Sequence, residues 1–298
     1  MTTLGKVDLS KHHPLCTSKN NFGISVHMQE LMCYTGQSMV YKEAELLLEK
    51  TLGVEISGMQ IQRVSQHYGK TLDQMIELNC ESMIPKIETT KKDDPTYVMM
   101  DGSMIYTRDE DWKELKLGSV FHDSQIIDIQ SKRREICDAV YVSHLGSVND
   151  FFPKFERHLI GYKNKVIIGD GARWIWKWAE DNYPGATQIL DYFHAKEKLV
   201  IFAQHHFKNE DNRKKWLEEN QEKLLNNKVD DVIGQLSKMK SRPESKNHKH
   251  KAIQYFIEHE DRMQYKSYLD KNLLIGSGPI EAAHRSVIQQ RMKLSGQK

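Results

Sequence analysis

The sequence is poor in cysteine, and its few cysteines form no metal-binding or redox pattern. The 298 residues contain four, at positions far apart and without a Cys-x-x-Cys pair: Cys16, Cys33, Cys80 and Cys137. This spacing is typical of reduced, buried thiols and gives no zinc-ribbon signal. The fourteen histidines are scattered as well, and no His-Glu-x-x-His pair of a zinc peptidase occurs.

Long apolar runs are also missing. No stretch approaches the roughly 18 to 20 apolar residues that cross a bilayer, and the first residues lack the apolar core of a secretory signal. The apolar share of 39% and the charged share of 28% are typical of a folded, soluble protein. We therefore expect a cytoplasmic protein with no membrane partner.

Net charge is low, at +2, so composition alone does not indicate a nucleic-acid-binding protein. The charge is nevertheless uneven, because the run Lys238–Lys251 holds five lysines, one arginine and two histidines but a single acid. Such a run is most often a solvated loop, and its alternative role is to face DNA. The side chains at its start, Lys238, Lys240 and Arg242, are the candidates for that contact.

The N-terminal part is predicted to be helical. Residues 24–90 carry helical apolar spacing that is interrupted at Gly53, and Ser57 has capping-box spacing to Gln60 at the start of a second helix. Two short helices around a glycine-containing turn at 41–70 are typical of an ordinary helical hairpin or of a DNA-reading helix-turn-helix. The sequence leaves both interpretations open.

A charged linker closed by proline, Lys91–Pro95, predicts a domain boundary. The β-rich runs beyond it are Thr96–Asp101, Leu115–Phe121, Asp138–Ser143, Lys165–Gly169 and Thr187–Leu190, with helical stretches at Asn149–Leu159 and Arg173–Asp181. Three strands followed by helix–strand–helix–strand predict an α/β fold, with a mixed sheet and helices on its faces. After Asp191 the chain reads as helical and charged until about Leu269.

Two acids are predicted to follow apolar strands. Val98–Gly102 reads as a strand that ends in Asp101 and a glycine, and Val166–Gly171 repeats this design around Asp170. Polar groups at strand ends line the crevice where ligands bind in an open α/β sheet, and paired carboxylates there suit Mg²⁺. The alternative is that each Asp merely caps the following turn.

A third acid occurs in the stretch Gly-Ser-Gly-Pro-Ile-Glu that ends at Glu281. Pro279 fits the first turn of a helix, so Glu281 lies in that turn, where the helix dipole also favours an ordinary surface acid. The rest of this helix is basic and offers candidates for holding DNA phosphates: Arg285, Arg291 and Lys293.

Further motifs accompany the three acids in a fixed order. They are Met100–Ser103, Trp112–Gly118, Ile168–Trp176, Ile189–Leu199, Gly276–Glu281 and Arg291–Gly296. In this order the chain resembles the DDE transposases of bacterial insertion sequences, and specifically the ISKra family. The resemblance runs from about residue 96 to the end, with a weaker echo in the helical N-terminal part.

The resemblance implies a ribonuclease-H-like fold and a bacterial, cytoplasmic DNA transposase. The implied domains are a helical N-terminal region at 1–92, a catalytic core at 93–192 and 270–298, and a helical insertion at 193–269. The implied partners are the double-stranded DNA of the element ends and of the target, with a homo-oligomer formed on that DNA.

The resemblance also implies that Asp101, Asp170 and Glu281 are the catalytic acids and hold two Mg²⁺ ions, or Mn²⁺ in their place. Asp191 and His194 match an Asp-x-x-His signature near the start of such insertions. We expect both to support the site, although His194 fits the role of a satisfied structural histidine equally well.

Two other functions compete with an active transposase. A haloacid-dehalogenase-like phosphatase needs a second Asp two residues after its nucleophile, where this chain has Ser103, and it gives no reason for the motif around Glu281. A catalytically inactive, truncated remnant that only binds DNA fits the same motifs. Family members usually run longer at both ends, so an upstream end-recognition segment is expected to be missing. The three acids favour an active enzyme, and the inactive remnant stays open.

Overall fold

The computed structural model describes residues 22–78, 94–107, 111–130 and 133–293. The chain divides into two compact units. The first comprises Met1–Lys86, Ile105–Trp112 and His284–Lys298, and the second comprises Ile87–Met104 and Lys113–Ala283. Cys16, Cys80 and most of the charged linker lie outside the described residues, and the domain bounds expected from the sequence stay a prediction.

Three helices build the described N-terminal part of the first unit: α1 (Val26–Ser38), α2 (Tyr41–Leu52) and α3 (Gly58–Leu78). Their shared core consists of buried apolar side chains, Met32, Ala44, Leu48, Ile56, Ile61 and Val64. Gly53 ends α2 in the left-handed conformation at φ +66°, which a glycine adopts without strain. Helices therefore lie on both sides of Gly53 as predicted, and a DNA-reading role for α3 stays a prediction.

The strands are β1 (Thr96–Thr107), β2 (Asp111–His122), β3 (Ile126–Gln130), β4 (Arg133–Ile136), β5 (Val140–Leu145), β6 (Lys165–Gly169) and β7 (Thr187–Leu190). Five of them form one sheet in the order β5-β2-β1-β6-β7, and β3 and β4 form a separate antiparallel pair. Strand β2 is antiparallel to β5, whereas β6 is parallel to both β1 and β7. The sheet is therefore mixed.

The remaining helices alternate with the last strands and then follow them. They are α4 (Val148–Glu156), α5 (Arg173–Asn182), α6 (Tyr192–His206), α7 (Glu210–Leu225), α8 (Val229–Lys238), α9 (Lys246–His259), α10 (Tyr265–Asp270), α11 (Gly278–Ala283) and α12 (Gln290–Met292). The predicted fold class is confirmed, since a mixed five-stranded sheet is flanked by helices as in ribonuclease-H-like folds. None of the described helices is long and apolar enough to cross a membrane.

Two expectations about the strands are corrected. Strand β1 does not end at Asp101 but continues to Thr107, because it remains beside β2 beyond that level. The pair β3 and β4 was not expected, since its residues are largely exposed or charged, as Ile127 and Ile129 at 44% and 45% exposure illustrate. A two-stranded hairpin of this kind lacks the buried apolar face that makes a strand recognisable.

Candidate metal centre at the sheet edge

Three aspartates occupy one level on three neighbouring parallel strands. Met99 of β1 pairs with Ile168 of β6, and Gly169 of β6 pairs with Leu190 of β7. Continuing the two registers sets Asp101 level with Asp170, and Asp170 level with Asp191. Pairing persists at this level, because the Asp191 N–H donates to the Gly169 carbonyl at 2.8 Å. Neighbouring strands lie about 4.8 Å apart, so the three carboxylates share one edge of the sheet.

The two predicted aspartates also accept hydrogen bonds from backbone amides close to them in sequence. The Asp101 carboxylate accepts from the Gly102 N–H at 2.7 Å, and the Asp170 carboxylate accepts from the Ala172 N–H at 3.0 Å. Both side chains are half-buried. The Asp170 contact caps a turn, whereas Asp101 lies inside β1 and no turn follows it. Neither contact excludes metal binding, because a carboxylate has about four lone-pair positions.

Helix α9 holds the loop at Asp170 through Tyr255. The Tyr255 hydroxyl donates to the Asp170 carbonyl at 2.8 Å. Burial, with the nearby Asp170 and Asp191 carboxylates, raises the pKa of Tyr255, so the phenol keeps its proton and remains a donor. Gly171 lies directly under this ring at φ +100°, where an added Cβ would be 2.8 Å from a ring carbon. The glycine after Asp170 thus allows the close approach of the Tyr255 ring.

Asp191 lies at the start of α6 and is held by three donors. Its Oδ1 accepts from the Phe193 N–H at 2.7 Å, which caps the helix, and its Oδ2 contacts His194 Nδ1 at 2.9 Å. The Ser277 hydroxyl also donates to Oδ2. The side chain of Asp191 is 0% exposed. Such a buried carboxylate needs this many donors to remain charged.

The ionisation of Asp191 and His194 is coupled. Burial raises the pKa of the Asp191 carboxyl, but the hydrogen bonds from His194, Ser277 and the Phe193 N–H outweigh it and lower this pKa below its ordinary value. The hydrogen bond to Asp191 raises the pKa of His194 against its burial. The charges of Asp191, Asp170 and Glu281 raise the pKa of His194 further.

Glu281 joins Asp191 and His194 in a cluster with metal-ligand spacing. One ligand atom from each of the three lies within 4.8 Å of the other two, and among the described residues no other such group of three occurs. Glu281 lies in α11 as predicted, and its Oε1 is 3.3 Å from the Ser277 hydroxyl. The structure therefore brings Glu281 to the Asp-x-x-His pair, while Asp101 and Asp170 are not members of this group.

The donor set fits a divalent ion. Mg²⁺ prefers carboxylate oxygens and retains water, and Mn²⁺ accepts oxygen ligands together with imidazole nitrogen. The cluster offers both donor types, and Asp191 connects it to the row formed with Asp101 and Asp170. Asp191 is buried, whereas Glu281 is exposed, so the cluster is open to solvent on the Glu281 side.

The predicted DNA-contacting residues are exposed and belong to both units. Lys238 ends α8, and Lys240 and Arg242 follow it in the second unit. The other three, in the first unit, are Arg285, Arg291 and Lys293. Arg291 also donates to the Val287 carbonyl at 3.2 Å. None of the six is buried, so each side chain is accessible to a phosphate.

Two residues of the site were missed by sequence reasoning. Tyr255 is remote in sequence from Asp170 and belongs to no recognised motif. Ser277 was not proposed as a site residue, and its hydroxyl donates to Asp191. The Gly-Ser-Gly-Pro stretch, with a buried serine between two glycines, is the only signal that could have pointed to it.

Comparison with known proteins finds a distant structural likeness. No protein-family model matches the chain, and no curated protein matches it. Among solved structures, the chain is similar to the Drosophila P element transposase strand transfer complex, with a TM-score of 0.35 and 11% sequence identity. The likeness covers 85% of this chain and 66% of that chain, just under two thirds of its length. At so low a TM-score it carries no weight for the activity, and membership of the ISKra family stays a prediction.

Proposed function

We propose that the chain is a DDE-type transposase, which cleaves and transfers DNA strands with two divalent ions held by Asp101, Asp170 and Glu281. One observation carries this proposal: three parallel strands present acids at one level of the sheet, with Glu281 beside the last of them. The assignment to the ISKra family belongs to the same proposal and rests on the order of the sequence motifs.

The spacing of the acids supports two-metal chemistry. Two Mg²⁺ or Mn²⁺ ions about 3.5 to 4 Å apart activate a water or a DNA 3′-hydroxyl and stabilise the leaving oxygen of an in-line displacement. The backbones of adjacent strands lie about 4.8 Å apart, so acids at one level of neighbouring strands suit a pair of ions at that separation. Asp170 is fixed by its turn and by Tyr255, so its carboxylate is oriented before an ion enters.

The substrate is proposed to be double-stranded DNA, bound by a homo-oligomer of the chain. Phosphates would be held by the exposed basic side chains, Lys238, Lys240, Arg242, Arg285, Arg291 and Lys293. Contacts of this kind position the backbone without reading its sequence. They also give an affinity that falls with salt, by a log–log slope of about 0.9 for each phosphate contacted.

A nicking assay tests the activity. Supercoiled plasmid carrying the DNA that flanks the gene is incubated with the full chain and Mg²⁺ or Mn²⁺. The variants are Asp170→Asn, which keeps an acceptor oxygen for the Ala172 N–H, and Glu281→Gln; both remove the charge and nearly conserve the shape of the side chain. The matched control is Asp181→Asn, which changes an exposed acid of α5.

The wild type and Asp181→Asn are expected to nick DNA only with added ion. Removal of either site acid is expected to lower the rate by at least about 100-fold, because the ions lose a ligand. Equal nicking by Asp170→Asn and the control would overturn the proposal. DNA binding without nicking by any form, wild type included, would favour the inactive remnant.

A further inference from the structure

The imidazole of His194 has a fixed orientation. The Asp191 carboxylate is charged and accepts hydrogen bonds only, so the Nδ1 that lies 2.9 Å from it must carry the hydrogen. In the neutral ring the other nitrogen, Nε2, then has an unprotonated lone pair. Asp191 is itself fixed as the cap of α6. The pair therefore presents one ring nitrogen in a defined direction.

Asp191 is less suited to bind an ion itself. Its Oδ2 already accepts from His194 and Ser277, and its Oδ1 accepts from the Phe193 N–H. Three of its about four lone-pair positions are thus in use. A buried carboxylate that orients an imidazole through Nδ1 is the arrangement by which proteins hold metal-ligating histidines.

Glu281, unlike Asp191, is suited to bind an ion itself. It is exposed, and the Ser277 hydroxyl near its Oε1 has a single hydrogen, which it donates to Asp191. The Glu281 carboxylate therefore has lone pairs available to a cation. One ligand atom of Glu281 lies within 4.8 Å of one ligand atom of His194, so an ion bound beside Glu281 is within reach of the imidazole.

We propose that His194 is a metal ligand of this centre through Nε2, with Asp191 as the positioning residue that holds its ring. The inference rests on the proposed function, since it adds a nitrogen ligand to the centre described there. A nitrogen ligand favours Mn²⁺ and Co²⁺ over Mg²⁺, which prefers oxygen. The centre is therefore expected to bind Mn²⁺ more tightly than three carboxylates alone would.

The test uses the full chain with Mn²⁺ alone and no DNA. Pulsed electron paramagnetic resonance of the Mn²⁺-loaded wild type is expected to show ¹⁴N modulation from a bound imidazole. His194→Gln should remove that signal and weaken Mn²⁺ binding by about 10- to 100-fold, while Mg²⁺ binding changes less. His205→Gln, at an exposed histidine of the same helix, is the matched control and should keep the ¹⁴N signal and the wild-type Mn²⁺ affinity.

Asp191→Asn is the second variant. Asparagine can still cap α6, but its NH₂ group can donate to His194 Nδ1, and the ring hydrogen then moves to Nε2. We expect this variant to lower Mn²⁺ affinity by about 10- to 100-fold as well. Absence of ¹⁴N modulation in the wild type overturns the inference, and so does its retention in a folded His194→Gln variant. The wild-type spectrum decides even if both variants fail to fold.

The two proposals fail separately. If Asp170→Asn loses nicking and the wild type shows no ¹⁴N modulation, the transposase proposal stands and His194 is not a metal ligand. Modulation that depends on His194, together with nicking by Asp170→Asn at the control rate, would retain the ligand and remove the proposed activity.

Discussion

Substitution of Gly171 by alanine is expected to damage the centre through the backbone of the Asp170 loop. Gly171 is at φ +100°, which an alanine adopts only with strain of about 1 to 3 kcal/mol. The new Cβ would also lie 2.8 Å from a ring carbon of Tyr255 and 3.1 Å from His259 Nε2. The Tyr255 ring cannot move without losing its hydrogen bond to the Asp170 carbonyl, worth about 1 kcal/mol. We therefore expect a total loss of about 2 to 4 kcal/mol in the free energy of unfolding.

Urea unfolding followed by tryptophan fluorescence measures this loss, and a Mn²⁺ titration of the same samples reports on the centre. Gly185→Ala is the matched control, since Gly185 is in an exposed turn and an added Cβ there meets nothing within 4 Å. Gly171→Ala should unfold at lower urea and bind Mn²⁺ more weakly than the control. An unfolding midpoint equal to that of Gly185→Ala would refute the reasoning.

Three further outcomes are expected. Tyr255→Phe leaves the Asp170 carbonyl without its donor, so calorimetry should show a loss of about 1 to 3 kcal/mol and titration a weaker Mn²⁺ site; wild-type values for both would contradict this. Gly118→Ala places a Cβ 2.3 Å from the buried Phe155 ring and should lower the free energy of unfolding, measured in urea, by about 1 to 3 kcal/mol. Its control, Gly234→Ala, lies in open space on α8 and should raise that free energy by up to about 1 kcal/mol. Burial lowers the pKa of His158, so the unfolded chain takes up this proton first as pH falls below about 6.5. The free energy of unfolding should then fall between pH 7 and 5, by at most about 1.4 kcal/mol per pH unit for this proton, and a His158→Gln variant with an unchanged slope would contradict the assignment.

Local sequence patterns were sufficient to predict the bounds of a short strand that ends in apolar residues followed by an aspartate. Strands β6 and β7 have the predicted bounds: each ends in buried residues, Val166–Gly169 and Ile189–Leu190, and an aspartate follows directly. Strand β1 was predicted too short: it continues past Asp101 through Gly102 and Ser103, which break the apolar run, to the buried Ile105 and on to Thr107. The apolar run alone therefore does not give the end of this strand.

In the candidate site, too, local sequence identified some residues, whereas others depend on contacts between distant parts of the chain. Asp101 and Asp170 were identified from the residues around them, whereas their level on the sheet depends on strand register, which is a non-local property. Asp191 was expected only to support the site, yet register places it in the same row. Tyr255 reaches Asp170 from a helix far along the chain, and no local pattern predicts that contact.

The central claim is that this edge of the sheet binds divalent ions through its acids. Anomalous diffraction from crystals of the full chain grown with Mn²⁺ tests it directly. We expect anomalous peaks in direct contact with carboxylate oxygens of Asp101, Asp170 and Glu281, at the distances of inner-sphere ligands, about 2 Å. Crystals soaked at saturating Mn²⁺ that show no peak at these three side chains would contradict the account.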